Sequence, residues 1–145
     1  MSLSLETIII IKKTAPDVTK NVLQISQRMY ELLFTKHPEL EKLFQGDPVE
    51  QHKKLAVALS LYTVNIDSLG MLQELIRKMV STHTKAHVLA EYYPYVGEAL
   101  LAAIKDVLTD VATEEVLNAW AEAYEHLSHA LIEKEKLIYA KSPKR

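Results

Sequence analysis

His83 and His87 stand four residues apart, a spacing that sets both imidazoles on one helical face, where they could chelate a metal ion. His83 falls well inside the apolar stripe of Met71, Leu72, Leu75, Ile76, Met79 and Ala86, and His87 at its margin. Further along, Glu135 lies at the edge of a stripe of Val116, Trp120, Tyr124, Leu127, Leu131 and Ile138. Tyr30 sits among Val22, Leu23, Met29, Leu33 and Phe34, and Gln51 extends the face of Leu55, Leu59, Tyr62 and Ile66. A buried imidazole or carboxylate costs free energy unless it is paired, so His83 and Glu135 need partners or a ligand. The residues alone leave two readings open for each. His83 is a satisfied core histidine or a ligand, and Glu135 a solvated edge residue or a partner. His126 and His129 fall opposite Trp120 and Leu127 and read as surface residues.

Composition narrows the chemistry. The 145 residues carry 17 Lys and Arg against 19 Asp and Glu, with six His, three Gly and no Cys. Without cysteine there is no disulfide, zinc-thiolate site, cysteine-ligated cluster or thiol nucleophile. A net charge of −2 argues against a broad nucleic-acid footprint. The longest apolar run near the start, residues 8–11, is too short for a signal segment or membrane span, so a cytoplasmic, soluble chain is expected.

The elements that must position these residues are helices. Few glycines and apolar residues at three-to-four spacing give an all-α reading of six or seven helices, with no alternating strand run. Ser4 caps a first helix disturbed near Pro16, and a second spans about 18–36, stopping before His37-Pro38. Pro38 starts a short helix to Phe44, and Gln45-Gly46-Asp47-Pro48 makes a turn. Helices follow at about 49–66, 71–87 and 93–108, and a last one, capped by Thr113, reaches Tyr139. Unequal lengths and short loops favour a globular helical fold over an up-down bundle.

Several segments, in order along the chain, carry a resemblance. They are Met29-Tyr30-Glu31-Leu32-Leu33-Phe34 with His37-Pro38-Glu39, Leu43-Phe44, Gln51 with Leu55-Ala56, His83, Glu91-Tyr92-Tyr93-Pro94-Tyr95-Val96-Gly97, and Ala119-Trp120 with Tyr124, Glu135 and Tyr139. Together they resemble the bacterial single-domain haemoglobins and the globin domain of flavohaemoglobins. Each piece is weak alone; their order and spacing, over residues 5–139, are specific.

The resemblance implies a three-over-three helical sandwich enclosing haem b (iron protoporphyrin IX), in one globin domain over 1–145 with its core at 3–140 and a flexible tail at 141–145. It implies His83 as iron ligand through Nε2, with Phe44, Leu55, Val88, Tyr93 and Val96 against the macrocycle. Tyr93 and Glu135 would hold His83 Nδ1–H and raise its electron donation, while Tyr30 and Gln51 would hydrogen-bond bound dioxygen. His52, which follows Gln51 where many relatives carry proline, either reaches the iron or turns to solvent. The implied function is reversible O2 binding with dioxygenation of nitric oxide to nitrate. Other diatomic ligands should bind too. The electrons would come from a separate reductase, since the chain ends at Arg145. Oxygen storage without turnover, or gas sensing, are the alternatives. A monomer or homodimer is expected, with no exposed apolar stripe to name an interface.

Overall fold

The computed structural model describes residues 3–44 and 46–141; Gln45 of the expected turn and 142–145 of the expected tail at 141–145 lie outside the described residues, while Lys141 still belongs to the last helix. Among the described residues six α-helices run in the order α1 (Leu5–Lys20), α2 (Val22–Lys36), α3 (Pro48–Val64), α4 (Leu69–Lys85), α5 (Tyr93–Leu108) and α6 (Glu114–Lys141). Short 3-10 segments at Pro38–Leu43, Ala90–Tyr92 and Thr109–Val111 connect them, and no strand occurs among the described residues.

The Ser4 hydroxyl accepts from the Thr7 amide at 3.2 Å and so caps α1. The expected break at Pro16 does not occur. Proline removes one amide donor, but Ile11 and Val18, both fully buried, anchor the helix on either side of it. Thr19 and Asn21 side chains also bond the Ala15 and Asp17 carbonyls, each at 2.9 Å. The chain breaks instead at Asn21, so α2 starts four residues later than the sequence suggests.

α2 packs chiefly on α5 and α3, α1 on α6 and α3, and α4 on α6. Ile11, Val18, Ile25, Leu33, Ile104 and Trp120 fill the shared core. The Glu122 carboxylate of α6 ties down the start of the chain, accepting from the Ser4 amide at 3.0 Å and the Thr7 hydroxyl at 2.9 Å. α5 and α6 approach closely at Gly97, where a Cβ would lie 2.5 Å from the Tyr124 ring.

Two surface features differ from the sequence expectation. Val57, Leu61 and Val64 are exposed and, at i, i+4, i+7, form an apolar stripe on the outer face of α3. α3 is apolar on both sides, with Leu59 and Tyr62 buried on the inner one. In α4, by contrast, only Val80 is buried, while Leu72, Leu75, Ile76 and Met79 are only partly buried despite their stripe. The inner side of α4 borders a cavity.

Candidate functional site

His83 lies in the last turn of α4, and the chain is stopped just beyond it. His87 adopts a left-handed conformation (φ 61°), and the Val88 amide returns to the His83 carbonyl at 3.0 Å, closing a Schellman-type cap. His87 is exposed and off the helix, so it shares no face with His83, and the chelating pair does not form. The Tyr139 hydroxyl donates to the Val88 carbonyl at 2.7 Å, fixing this corner against the end of α6.

Three elements converge behind His83. Tyr93 is the first residue of α5, and its carbonyl accepts from the Tyr124 hydroxyl at 2.7 Å. Its own hydroxyl donates to Glu135 Oε1 at 2.7 Å. His83 Nδ1 lies 3.1 Å from Glu135 Oε2 and 2.8 Å from the Tyr93 oxygen. Glu135 is 3% exposed. With the Tyr93 proton committed to the carboxylate, both oxygens facing Nδ1 are acceptors, so Nδ1 carries the proton and Nε2 keeps its lone pair. Burial, reinforced by the hydrogen bond to Glu135 and its charge, pushes the Tyr93 phenol far above its ordinary range, so Tyr93 stays a neutral donor.

In front of His83 lies a cavity of about 990 Å³, its open mouth included. Its wall is almost wholly apolar and includes Tyr30, Phe44, Leu55, His83, Val88, Tyr93 and Val96, each singled out from the sequence. It also takes in Tyr62, Met79, Trp120 and Tyr124, which the sequence marks only as residues of apolar stripes. Among the donors in this wall, two on the inner side, at Trp120 and Tyr30, make no hydrogen bond with the described residues. Trp120 Nε1 is buried without a hydrogen bond. The Tyr30 hydroxyl has none either, and burial alone pushes its pKa up to about 12.

Gln51 and His52 are placed elsewhere. Neither lines the main cavity; both line a second, outer chamber that shares Tyr30 and Phe44 as its wall. The Gln51 amide nitrogen lies 3.9 Å from where a Cβ on Gly46 would sit. The His52 ring stacks on the Tyr30 ring, centroids 5.2 Å apart and planes inclined by 28°. Tyr30 and Gln51 therefore meet in the wall of the outer chamber, where the part-exposed His52 stacks on Tyr30, and only Tyr30 of the three also lines the main cavity.

A deep apolar cavity between α3 and α4, backed by a histidine with one nitrogen tied and the other left as a ligand, suits a flat apolar macrocycle carrying a metal. The described residues alone bring no group of three or more His, Asp or Glu together for a metal ion. Residues 27–131 match the Globin family model, and the chain belongs to the globin family. It is 46% identical over 138 residues to an uncharacterised globin-like protein of Aquifex aeolicus, covering 95% of this chain and 98% of that one. It is 38% identical over 139 residues to the Rhizobium meliloti flavohemoprotein, covering 94% of this chain but only 34% of that one, so it spans about a third of that relative's length. Among solved structures, an engineered carbene transferase from Rhodothermus marinus, provisionally named a nitric oxide dioxygenase, superposes with a TM-score of 0.91 at 43% identity. The match covers 96% of this chain and 97% of that one. No described helix is long and apolar enough to cross a membrane.

Proposed function

We infer that this globin binds haem b in the main cavity through His83 Nε2, takes up O2 and other diatomic ligands, and oxidises nitric oxide to nitrate with electrons from a reductase. The observation that carries the reading is the His83–Tyr93–Glu135 cluster. A buried carboxylate held to Nδ1–H donates electron density through the imidazole, more than a carbonyl or hydroxyl acceptor would. When bound, reduced haem iron would supply O2 activation and one electron, so that O2 and NO give the nitrate anion.

The chain's own residues do the rest. Glu135 and Tyr93 hold the Nδ1 proton and orient the ring, and the Val88–His83 cap keeps α4 from sliding. Phe44, Leu55, Val88 and Val96 exclude water from the cavity. The Tyr30 phenol, neutral across the physiological range, offers an O–H donor to a ligand that gathers negative charge. The relatives named flavohemoproteins extend this reading toward turnover, with an electron donor outside these 145 residues.

The test is direct. Adding haem to the purified protein should give a sharp Soret band that His83→Ala loses. With a reductase supplied, the oxygenated form should consume NO over many cycles. A single stoichiometric turnover would leave O2 storage as the function.

A further inference from the structure

Among the described residues the main cavity has no lysine, arginine or carboxylate in its wall, so the charged edge of a ligand there meets only tyrosine, tryptophan and histidine. His83, Tyr93 and Tyr124 are engaged in the cluster behind the cavity, and the Tyr62 hydroxyl donates to the Ala123 carbonyl at 3.1 Å. Tyr30 and Trp120 are deeply buried. That leaves Tyr92. It is part-exposed, its ring packs on the core, and its hydroxyl makes no hydrogen bond with the described residues. Among those residues Trp120 Nε1 is the one buried side-chain polar atom without a partner, so the Tyr92 oxygen is open to solvent. The backbone on either side of Tyr92 is fixed. The Val88 carbonyl accepts from Tyr139 and the Tyr93 carbonyl from Tyr124, each at 2.7 Å, and the Tyr92 amide bonds the Leu89 carbonyl at 3.0 Å. The phenol is therefore a preorganised donor where an apolar cavity meets water.

We propose that Tyr92 anchors one of the two carboxylates of haem, so that this globin holds the charged edge of its cofactor with a neutral phenol rather than a cation. The inference rests on the haem reading above and adds to it the residue that fixes that edge. An apolar wall sorts the two ends of such a ligand. Its hydrocarbon face leaves water, and its ionised carboxylates stay at the opening, since burying them unpaired is costly. A phenol O–H placed there gives a charge-assisted hydrogen bond to one carboxylate oxygen. Lys53 and Lys54 of α3 and Lys85 of α4, the cations nearest Leu55 and His83 along the chain, are exposed and line no part of the cavity.

Two ligands and one variant test the anchor. Haem and its dimethyl ester, which lacks the carboxylate charges, are each loaded into the native protein and into Tyr92→Phe, and transfer to an excess of a scavenging protein is timed. Tyr92→Phe keeps the ring and removes only the hydroxyl. Haem should leave about five- to tenfold faster, less than a fully buried charged hydrogen bond implies because water competes at the opening. The ester should leave at a rate changed by less than about twofold, since it carries no charge for the phenol to hold. The haem carboxylate bending band in resonance Raman should move in this variant, with the iron–histidine stretch unchanged. Native haem loss should be insensitive to salt, because no ion pair is broken. A variant that keeps haem as the native protein does overturns the anchor, and so does one that loses haem and ester equally. Native haem loss that speeds several-fold with salt assigns the edge to a cation and overturns it too. A native protein that gives no Soret band with haem overturns the underlying reading, and the anchor with it; a normal Soret band with an unchanged Tyr92→Phe overturns the anchor alone.

Discussion

Replacing Glu135 by Gln keeps the shape of the side chain and removes its charge, so it isolates the electronic part of the cluster. The native carboxylate receives the Tyr93 hydroxyl at 2.7 Å and His83 Nδ1–H at 3.1 Å. A glutamine has one acceptor oxygen. If that oxygen keeps Tyr93, the amide NH2 faces Nδ1–H, donor against donor. Relief then requires moving the imidazole proton to Nε2, which destroys the ligand lone pair. Charge-assisted hydrogen bonds are worth ~1.5–3 kcal/mol and neutral ones ~0.5–1.5, so the two contacts together lose about 2 kcal/mol. Freedom from burying a charge returns part of that. A net loss of about 1.4 kcal/mol corresponds to about tenfold faster haem dissociation. Transfer of haem to an excess of a scavenging protein measures that rate. Resonance Raman of the ferrous form should show the iron–histidine stretch moved downward. If the stretch stays put and haem leaves at the native rate, the carboxylate does not act on His83 and the electronic argument is wrong.

Tyr30→Phe should speed O2 dissociation by about tenfold, the loss of a hydrogen bond of ~1.4 kcal/mol, as followed by stopped flow. Gln51→Ala, altering the outer chamber rather than the main cavity, should change that rate by less than about threefold in the same assay, in keeping with a bridging contribution at most. Gly97→Ala puts a methyl group against the Tyr124 ring and loosens the Tyr124–Tyr93 bond, costing ~1–3 kcal/mol in urea unfolding. Alkaline stability should fall above about pH 10. Burial raises the phenols of Tyr30, Tyr62 and Tyr124, so the unfolded chain releases these protons first, and each costs ~1.4 kcal/mol per pH unit until the folded phenol also titrates. For Tyr30 that loss ends near a pKa of about 12, and circular dichroism melts from pH 8 to 12 would follow it.

The helix faces were legible in the sequence because burial follows the 3.6-residue period, and His83, Tyr30 and Trp120 all face inward as the spacing requires. Boundaries were less so. Pro16 reads as a break, yet tertiary anchoring by Ile11 and Val18 outweighs one lost amide bond. Glu135 sits at the margin of its stripe, and nothing in α6 itself says that this glutamate is buried. Its partners come from the ends of α4 and α5, 52 and 42 residues away. Gln51 and His52 are a different case. Both sit near the start of α3 and line the outer chamber beside Tyr30 rather than the main cavity, a choice between neighbouring cavities that helical phase does not encode. His87 shows a third case, since a histidine in the left-handed region is rare enough that the spacing gives no warning of it.

The two sides of the cavity are built on different principles, and that difference bears on carriage against catalysis. Behind His83, every polar atom of the cluster is engaged. Tyr124 fixes Tyr93, Tyr93 fixes Glu135, Glu135 fixes His83, and Tyr139 fixes the corner that follows. A chain of satisfied hydrogen bonds in a region of low dielectric holds its geometry, so under the proposed function electron donation through the imidazole would be set on folding. In front, Tyr30 is held only by ring packing against Phe34, Phe44 and His52, with its hydroxyl uncommitted among the described residues. An O–H donor that faces the cavity bonds a ligand that gathers negative charge more strongly than a neutral one. The fixed donor behind and the waiting donor in front therefore act in the same direction, each favouring charge on the ligand. For a carrier alone, the front donor would suffice. The buried carboxylate behind His83 makes no contact in the front cavity; under the proposed function it would hold the His83 tautomer, slow haem loss and raise charge transfer to the ligand.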